Sequence, residues 1–376
     1  MNILSLFANI GVAEAYLNEI GFHVAVANEL IEKRANLYSK IYPETEMICG
    51  DINDLKVLKR IVNSSVNKKV DIIMATPPCQ GMSTAGLQKE DDERNKLIFP
   101  VISIINKILP KYVFIENVPL FLRTKVEYEG IKMLIPEILE QELGERYIIK
   151  MFVINTDEYS VPQTRERAIL LMTRRNLAKV WMVPNKDEKK VTMRDVIGHL
   201  PSIDPYVTDV DDKERHIMFP DYDKKFEEAL KISPWNKPPH HIKRQVVAMM
   251  HTPSGMTAFD NKKYYPIKKN GAPVKGYKNT YKRQNWDTPA YTVTMDNRKI
   301  SSQNNVHPGR YLGEDGEGDM LYSDPRTLTL YELMKIMSIP ENWPVPIETS
   351  EAFLRRVIGE GIPPLFVKKV FEELLK

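Results

Sequence analysis

Cys79 is one of two cysteines in a chain of 376 residues. It directly follows Pro77-Pro78 at the end of an apolar run, Val70-Asp-Ile-Ile-Met-Ala75. Two prolines fix the backbone torsions and remove two N–H donors, so the segment cannot extend a strand ladder. It projects the thiol past the strand end. A lone cysteine is most often a small buried hydrophobe. The polar sequel, Gln80-Gly-Met-Ser83 and on to Arg94, argues for a nucleophile that a covering loop closes over.

Two further groups fall at strand ends. Glu116 closes the apolar run Tyr112-Val-Phe-Ile, where an acid is costly to bury without a purpose; a salt-bridged structural acid is the competing reading. Arg165 and Arg167, in Gln163-Thr-Arg-Glu-Arg167, precede another apolar run. Residues two apart on a strand share a face, so both cations could reach one ligand. Together these residues offer a nucleophile, a carboxyl group able to exchange a proton, and two guanidinium groups.

A second constellation lies at the N-terminus. Leu4-Ser-Leu-Phe-Ala-Asn-Ile-Gly11 reads as a strand and a tight turn, followed by a helix over 11–20. Gly11 falls where backbone must approach a ligand closely. Glu29 ends the next strand and can accept both hydroxyl hydrogen bonds of a ribose. Asp51 and Ile52 follow where a third strand edge could meet an adenine ring. One glycine stands where a dinucleotide fingerprint has three, which suits a cofactor with ribose and adenine but no phosphates.

The elements that must position these residues are strands at 2–7, 22–28, 70–75, 112–117, 147–154 and 167–174. Helices are expected at 11–20, 30–41, 94–109 and 129–143. Strand–helix alternation predicts an α/β fold with a mostly parallel sheet covered on both faces. Sixteen of the 26 prolines lie between Pro184 and Pro346, which predicts loops, short strands and few helices there. The domains expected are 1–183, 184–310 and 311–376, the last ending in an amphipathic helix over Leu365–Leu375.

Net charge is +3, but Gly255–Arg310 alone carries 11 Lys/Arg against 3 acids, interleaved with aromatic rings. That is the composition of a nucleic-acid surface, or of a solvated basic face. No apolar run is long enough for a membrane span. Two cysteines are too few for a zinc cage or a disulfide framework, and a reducing, cytoplasmic setting is expected. The first residues run straight into a strand, so no secretory leader is expected.

Pro78-Cys79-Gln80, Glu116-Asn117-Val118, Gln163-x-Arg165-x-Arg167, the late Arg326-Thr-Leu-Thr-Leu-Tyr-Glu332 block and the final Gly-x-Gly-Ile-Pro-Pro364, in that order, resemble the DNA cytosine-5 methyltransferase family. The resemblance implies a Rossmann-like doubly wound catalytic domain that binds S-adenosylmethionine. It also implies a smaller, loop-rich target-recognition domain at 184–310. By resemblance, Cys79 bonds ring carbon 6 of a flipped-out cytosine, Glu116 holds ring nitrogen 3 and the amino group, Arg167 the ring carbonyl, and Arg165 the site near the thiol. Phe7, Gly11, Glu29, Asp51, Ile52, Pro78 and Leu97 match cofactor contacts. Gln80, Ser83, Arg94 and Thr292 are the candidate DNA contacts. The partner implied is double-stranded DNA, with no metal and no membrane. A monomer acting in the cytoplasm beside a cognate restriction endonuclease is expected. A catalytically weak DNA-binding protein on this scaffold, or an RNA cytosine-5 methyltransferase, is the alternative. Ser5, Asn9, Val12 and Glu360 depart from the family's first and last motifs.

Overall fold

Short apolar runs become one seven-stranded sheet in the computed structural model, which describes residues 1–78, 92–276, 279–300 and 303–376. In chain order come β1 (Asn2–Leu6), β2 (His23–Glu29), α1 (Glu32–Ile41), β3 (Glu46–Cys49), α2 (Leu55–Asn67), β4 (Ile72–Ala75), α3 (Ile98–Ile108) and β5 (Tyr112–Asn117). A hairpin of β6 (Lys125–Tyr128) and β7 (Ile131–Leu134) stands outside the sheet, followed by α4 (Ile135–Leu143), β8 (Tyr147–Asn155) and β9 (Glu166–Arg174). The sheet order is β3-β2-β1-β4-β5-β9-β8. β1 to β5 run parallel; β9 is antiparallel to both of its neighbours.

The strands read as continuous apolar runs because both faces are covered. Successive residues alternate between two cores. Ile73, Val113, Ile115, Leu170 and Met172 face α2, α3 and α4. Ile72, Met74, Phe114, Ile169 and Leu171 face the opposite side.

Three expectations change. Residues 11–20 form turns and a single 3-10 turn over Asn18–Ile20 rather than a helix. Gly11 and Gly21 bracket the stretch with φ of 81° and 80°, too close together to reward helix nucleation. Residues 129–134 are a hairpin turn followed by strand β7, not helix. Glu129 and Gly130 both have positive φ, the torsions of a two-residue hairpin turn, and Pro136 in the first turn of α4 marks where the helix starts. α2 and β3 fall outside the expected elements.

The proline-rich part also holds more helix than expected: α5 (Met193–Ile197), α6 (Asp212–Met218), α7 (Tyr222–Ile232) and α8 (Lys243–Met250), with β10 (Tyr206–Val207) paired to β11 (His240–His241). Pro201, Pro205, Pro220, Pro234, Pro238 and Pro239 fall between these helices and Pro253 just after them, where a missing N–H interrupts nothing. Then follow the hairpin β12 (Tyr311–Glu314) and β13 (Met320–Tyr322), α9 (Leu330–Ile336), α10 (Glu351–Glu360) and α11 (Pro364–Glu372).

Two packing relations bring distant chain onto the sheet and the turns beside it. α11 buries Phe366, Val367, Val370 and Phe371 on the sheet, with Phe371 edge-on to Phe22 at 5.3 Å and to Trp181 at 5.1 Å. A third core joins Ile10, Val12, Leu37 and Ile41 to Trp286, Ala290 and Val293 and to α9 and α10. Among the described residues no helix is long and apolar enough to cross a membrane.

Candidate active site

β5 delivers Glu116 and β9 delivers Arg167. Asn117 stands opposite Ala168 and Glu116 opposite Ile169 in the ladder, which brings the carboxyl group within reach of Arg167. Arg167 Nε lies 2.7 Å from Glu116 Oε1, with the two side chains 13% and 12% exposed. An acid so little exposed is tolerated because a cation faces it. Asn117, itself buried, donates from Nδ2 to the Pro77 carbonyl at 3.1 Å, and its Oδ1 accepts from the Val118 N–H. Thr76 donates to the Phe7 carbonyl at 3.3 Å. The proline segment is therefore tied to the ends of both β1 and β5. Cys79, Gln80 and Ser83 lie outside the described residues.

The two arginines, expected on one face, reach different partners. The strand begins only at Glu166, so the two-residue alternation does not extend back to Arg165. Arg165 is buried and donates to the carbonyls of Val293 at 2.8 Å and Gly359 at 3.1 Å. Thr292 is engaged in the same junction: its hydroxyl donates to the Thr164 carbonyl at 2.6 Å. The fully buried Gln163 accepts from the Val293 N–H at 3.1 Å. The Ala290 N–H donates to Pro162 and that of Thr164 donates to Ala290. Arg94, a candidate DNA contact, turns both its Nε and Nη2 onto the Asp92 carboxylate.

The N-terminal constellation is built on strained turns. Phe7, Asn9 and Gly11 have φ of 60°, 51° and 81°; asparagine tolerates this region better than most residues. Glu29, 6% exposed, accepts from the N–H groups of Asn9 and Ile31, both at 2.9 Å. Two bonds leave part of the carboxylate's acceptor capacity for ligand hydroxyls. Gly11 is required by the chain itself: a Cβ there would lie 2.1 Å from the Tyr42 ring, and the Tyr42 hydroxyl donates to the Gly11 carbonyl at 2.5 Å. Ile52 is buried in the core, while the exposed Asp51 accepts from the Asn53 N–H. Leu97 packs half-buried on the same core and Pro78 is half-buried. Glu29, beside a turn with one glycine, fits a ribose.

The departures from the family motifs have structural partners that spacing did not reveal. Beside Ser5 lies Glu14, buried, with Oε2 lacking a hydrogen-bond partner among the described residues. Burial raises its pKa to about 7, more than the Ser5 and Tyr38 hydroxyls lower it. Glu360 pairs with Arg34 across 2.8 Å. The late block is a buried charge network. Arg326 grips Glu332 with two bonds of 2.8 and 2.9 Å and also reaches Asp324 at 2.9 Å. Burial pushes the adjacent His307 down to about 4. Among the described residues no cluster of His, Cys, Asp and Glu could hold a metal ion.

Comparison with known proteins matches the model of the family described as C-5 cytosine-specific DNA methylase to residues 1–376. A protein named type II methyltransferase M1.HgaI, from Avibacterium volantium, is 40% identical over 376 residues, covering 99% of this chain and 97% of its own. Type II methyltransferase M1.HphI from Haemophilus parahaemolyticus is 24% identical, covering 100% and 87%. Among solved structures, a protein described as a DNA modification methyltransferase of an Escherichia coli prophage superposes with a TM-score of 0.68 at 19% identity, covering 100% of this chain and 98% of that one. A Spodoptera frugiperda DNMT2 mutant gives 0.57 at 17% identity, covering 100% and 99%. These two likenesses concern the fold.

Proposed function

The chain belongs to the C-5 cytosine-specific DNA methylase family and is a DNA cytosine-5 methyltransferase, and on that premise we propose which of its residues perform the transfer. Carbon 5 of cytosine is a poor nucleophile. The Cys79 thiolate bonds to ring carbon 6, which makes carbon 5 electron-rich. Glu116 holds ring nitrogen 3 and the amino group and brings the proton that nitrogen 3 takes up as the ring gains electrons. Arg167 holds Glu116 in place and reaches the ring carbonyl, where negative charge grows. After transfer a base removes the carbon 5 proton and Cys79 leaves. One difficult step becomes several easier ones.

The cofactor proposed is S-adenosylmethionine, which supplies a methyl group on a sulfonium. Glu29 takes the ribose hydroxyls, and Phe7, Ile52, Pro78 and Leu97 border the adenine. The target cytosine is stacked in the duplex, so it must be extruded at a cost of a few kcal/mol. The segment 184–310 is the proposed recognition domain, with its basic aromatic stretch over Gly255–Arg310 on the DNA. Arg165 and Thr292 hold that domain to the catalytic sheet. The type II relatives support a modification role beside a restriction endonuclease, in preference to an RNA substrate.

The observation that carries this reading is the Glu116–Arg167 pair, 2.7 Å apart at the carboxyl end of the sheet. The test is bisulfite sequencing of DNA from cells expressing the protein or its Cys79→Ser variant. Methylated cytosines in one sequence context, absent with the variant, are expected. Unmethylated DNA from cells holding folded wild-type protein would overturn it.

A further inference from the structure

Residues 314–319, at the turn between β12 and β13, carry four acids in six residues and no cation. The tip of this hairpin lies against the basic segment. Lys263 Nζ lies 2.6 Å from Glu317 Oε2 and also donates to Asp319. The Tyr264 hydroxyl donates to Asp319 at 2.8 Å. Asp315 Oδ1 accepts from the N–H groups of Glu317 and Asp319, which presets the turn. Lys262, Lys268, Lys269 and Lys275 of the same segment are exposed and have no acid partner among the described residues.

The ion pairs have a weak claim to being fasteners. The Lys263 and Glu317 side chains are half and mostly exposed, and exposed pairs add little stability. The two chain segments are already joined by other contacts. Tyr264 stacks on His251 with ring centroids 3.6 Å apart, and His251 Nδ1 lies 3.1 Å from the Met320 carbonyl. Asn261 accepts from the N–H groups of Lys263 and Tyr264 and donates to the His251 carbonyl. One ammonium against four carboxylates also leaves the tip net negative, beside a segment whose other lysines are free.

We propose that Glu317 and Asp319 take the place of DNA phosphate on Lys263 and so make the enzyme discriminate against duplexes that lack its target sequence. This rests on the reading above that the segment 255–310 faces DNA. A carboxylate offers an ammonium the same charge-assisted hydrogen bonds as a phosphate oxygen. Sequence-independent binding comes almost entirely from cations that neutralise phosphates and release counterions. A lysine already neutralised by two carboxylates adds nothing to it. The surplus negative charge repels a duplex backbone that comes within a Debye length, about 8 Å at physiological salt. Base contacts fix one register on the target sequence, in which the backbone clears the tip. Binding elsewhere samples every register, including those against it, and like charges brought together suppress the wrong partner.

The test is fluorescence anisotropy of the full chain across a salt series, with a duplex carrying the methylated context found by bisulfite sequencing and with one lacking it. Wild type, the double variant Glu317→Gln/Asp319→Asn, Lys263→Ala and the triple variant are compared. The amides keep the shape of the tip and the acceptor that Tyr264 uses. The double variant is expected to bind the duplex without the target about tenfold more tightly, the value of one charged hydrogen bond. Its log–log salt slope should steepen by about 0.9, the mark of one added phosphate contact. The gain on the target duplex should be smaller. Lys263→Ala alone should leave the slope unchanged, and in the triple variant it should return the slope to the wild-type value. No gain, an equal gain on both duplexes, or a gain that survives Lys263→Ala overturns the inference. A shallower slope for Lys263→Ala alone also overturns it, because Lys263 would then already be on DNA. If the double variant fails to fold, Glu317→Gln alone decides by the same criteria. Wild type that binds neither duplex overturns the DNA-facing reading and this inference with it.

Discussion

Arg165 donates to the carbonyl of Val293 at 2.8 Å, across 128 residues of chain, and to that of Gly359 across 194. One buried guanidinium therefore joins the end of the catalytic sheet, the basic aromatic segment and α10. Arg165→Ala would strand those carbonyls without donors. Stability should fall by about 3 kcal/mol, with DNA binding weakened, and Arg165→Lys should recover little because the planar fork is lost. Urea unfolding and a DNA-binding titration check this. A variant as stable as wild type contradicts the assignment.

Glu116→Gln keeps the shape of the side chain and removes its exchangeable proton and its charge toward Arg167. Single-turnover methylation should slow by about 100-fold or more, the usual range for a lost general acid. DNA affinity should stay within about threefold of wild type by the standards of a residue that acts on the bound base. If the rate holds, or if rate and affinity fall together, Glu116 is not working on the ring.

Glu14 makes stability depend on pH. Its pKa is about 7 in the folded chain against an ordinary 4.5. Above pH 4.5 the unfolded chain has lost this proton while the folded chain retains it. The folded state is therefore favoured most below that value, loses ground as pH rises toward about 7, and levels off beyond. The total is about 3 kcal/mol for a shift of this size. Glu14→Gln, which cannot ionise, should be more stabilising at pH 8 than at pH 5 in urea unfolding. An equal effect at both pH values would mean that Glu14 is not held neutral.

Arg326 is fully buried between Asp324 and Glu332. Arg326→Met leaves two buried carboxylates facing each other without their cation, which should cost about 3–5 kcal/mol. The loss is expected to appear as a lower thermal midpoint. A small change would show that water reaches this network.

Much of the sheet was legible because both its faces are covered. β4 and β5 are unbroken apolar runs, so the acid and amide that end β5 stand out in the sequence. Local conformation that overrides pattern was harder to read. The stretch after Gly11 has helical spacing, but its carboxylate at Glu14 turns inward and its two glycines close it early. The hairpin before α4 rests on Glu129-Gly130, whose turn torsions the surrounding apolar residues concealed. Partnerships across the chain were not legible at all. Glu360 stands out in the sequence only as a departure from the last motif, because its partner Arg34 lies on the first helix with nothing in the intervening sequence to connect them. The expected shared role of Arg165 and Arg167 assumed a strand that begins one residue too late to align them.

The central claim is that Cys79 bonds transiently to the target base. Fluorine at carbon 5 cannot leave as a proton does, so a duplex carrying 5-fluorocytosine in the recognised sequence should trap the adduct in the presence of S-adenosylmethionine. A protein–DNA band that survives denaturing electrophoresis with wild type, and is missing with Cys79→Ser, is the predicted result. Absence of that band from wild-type protein that methylates the unmodified duplex would contradict the covalent mechanism.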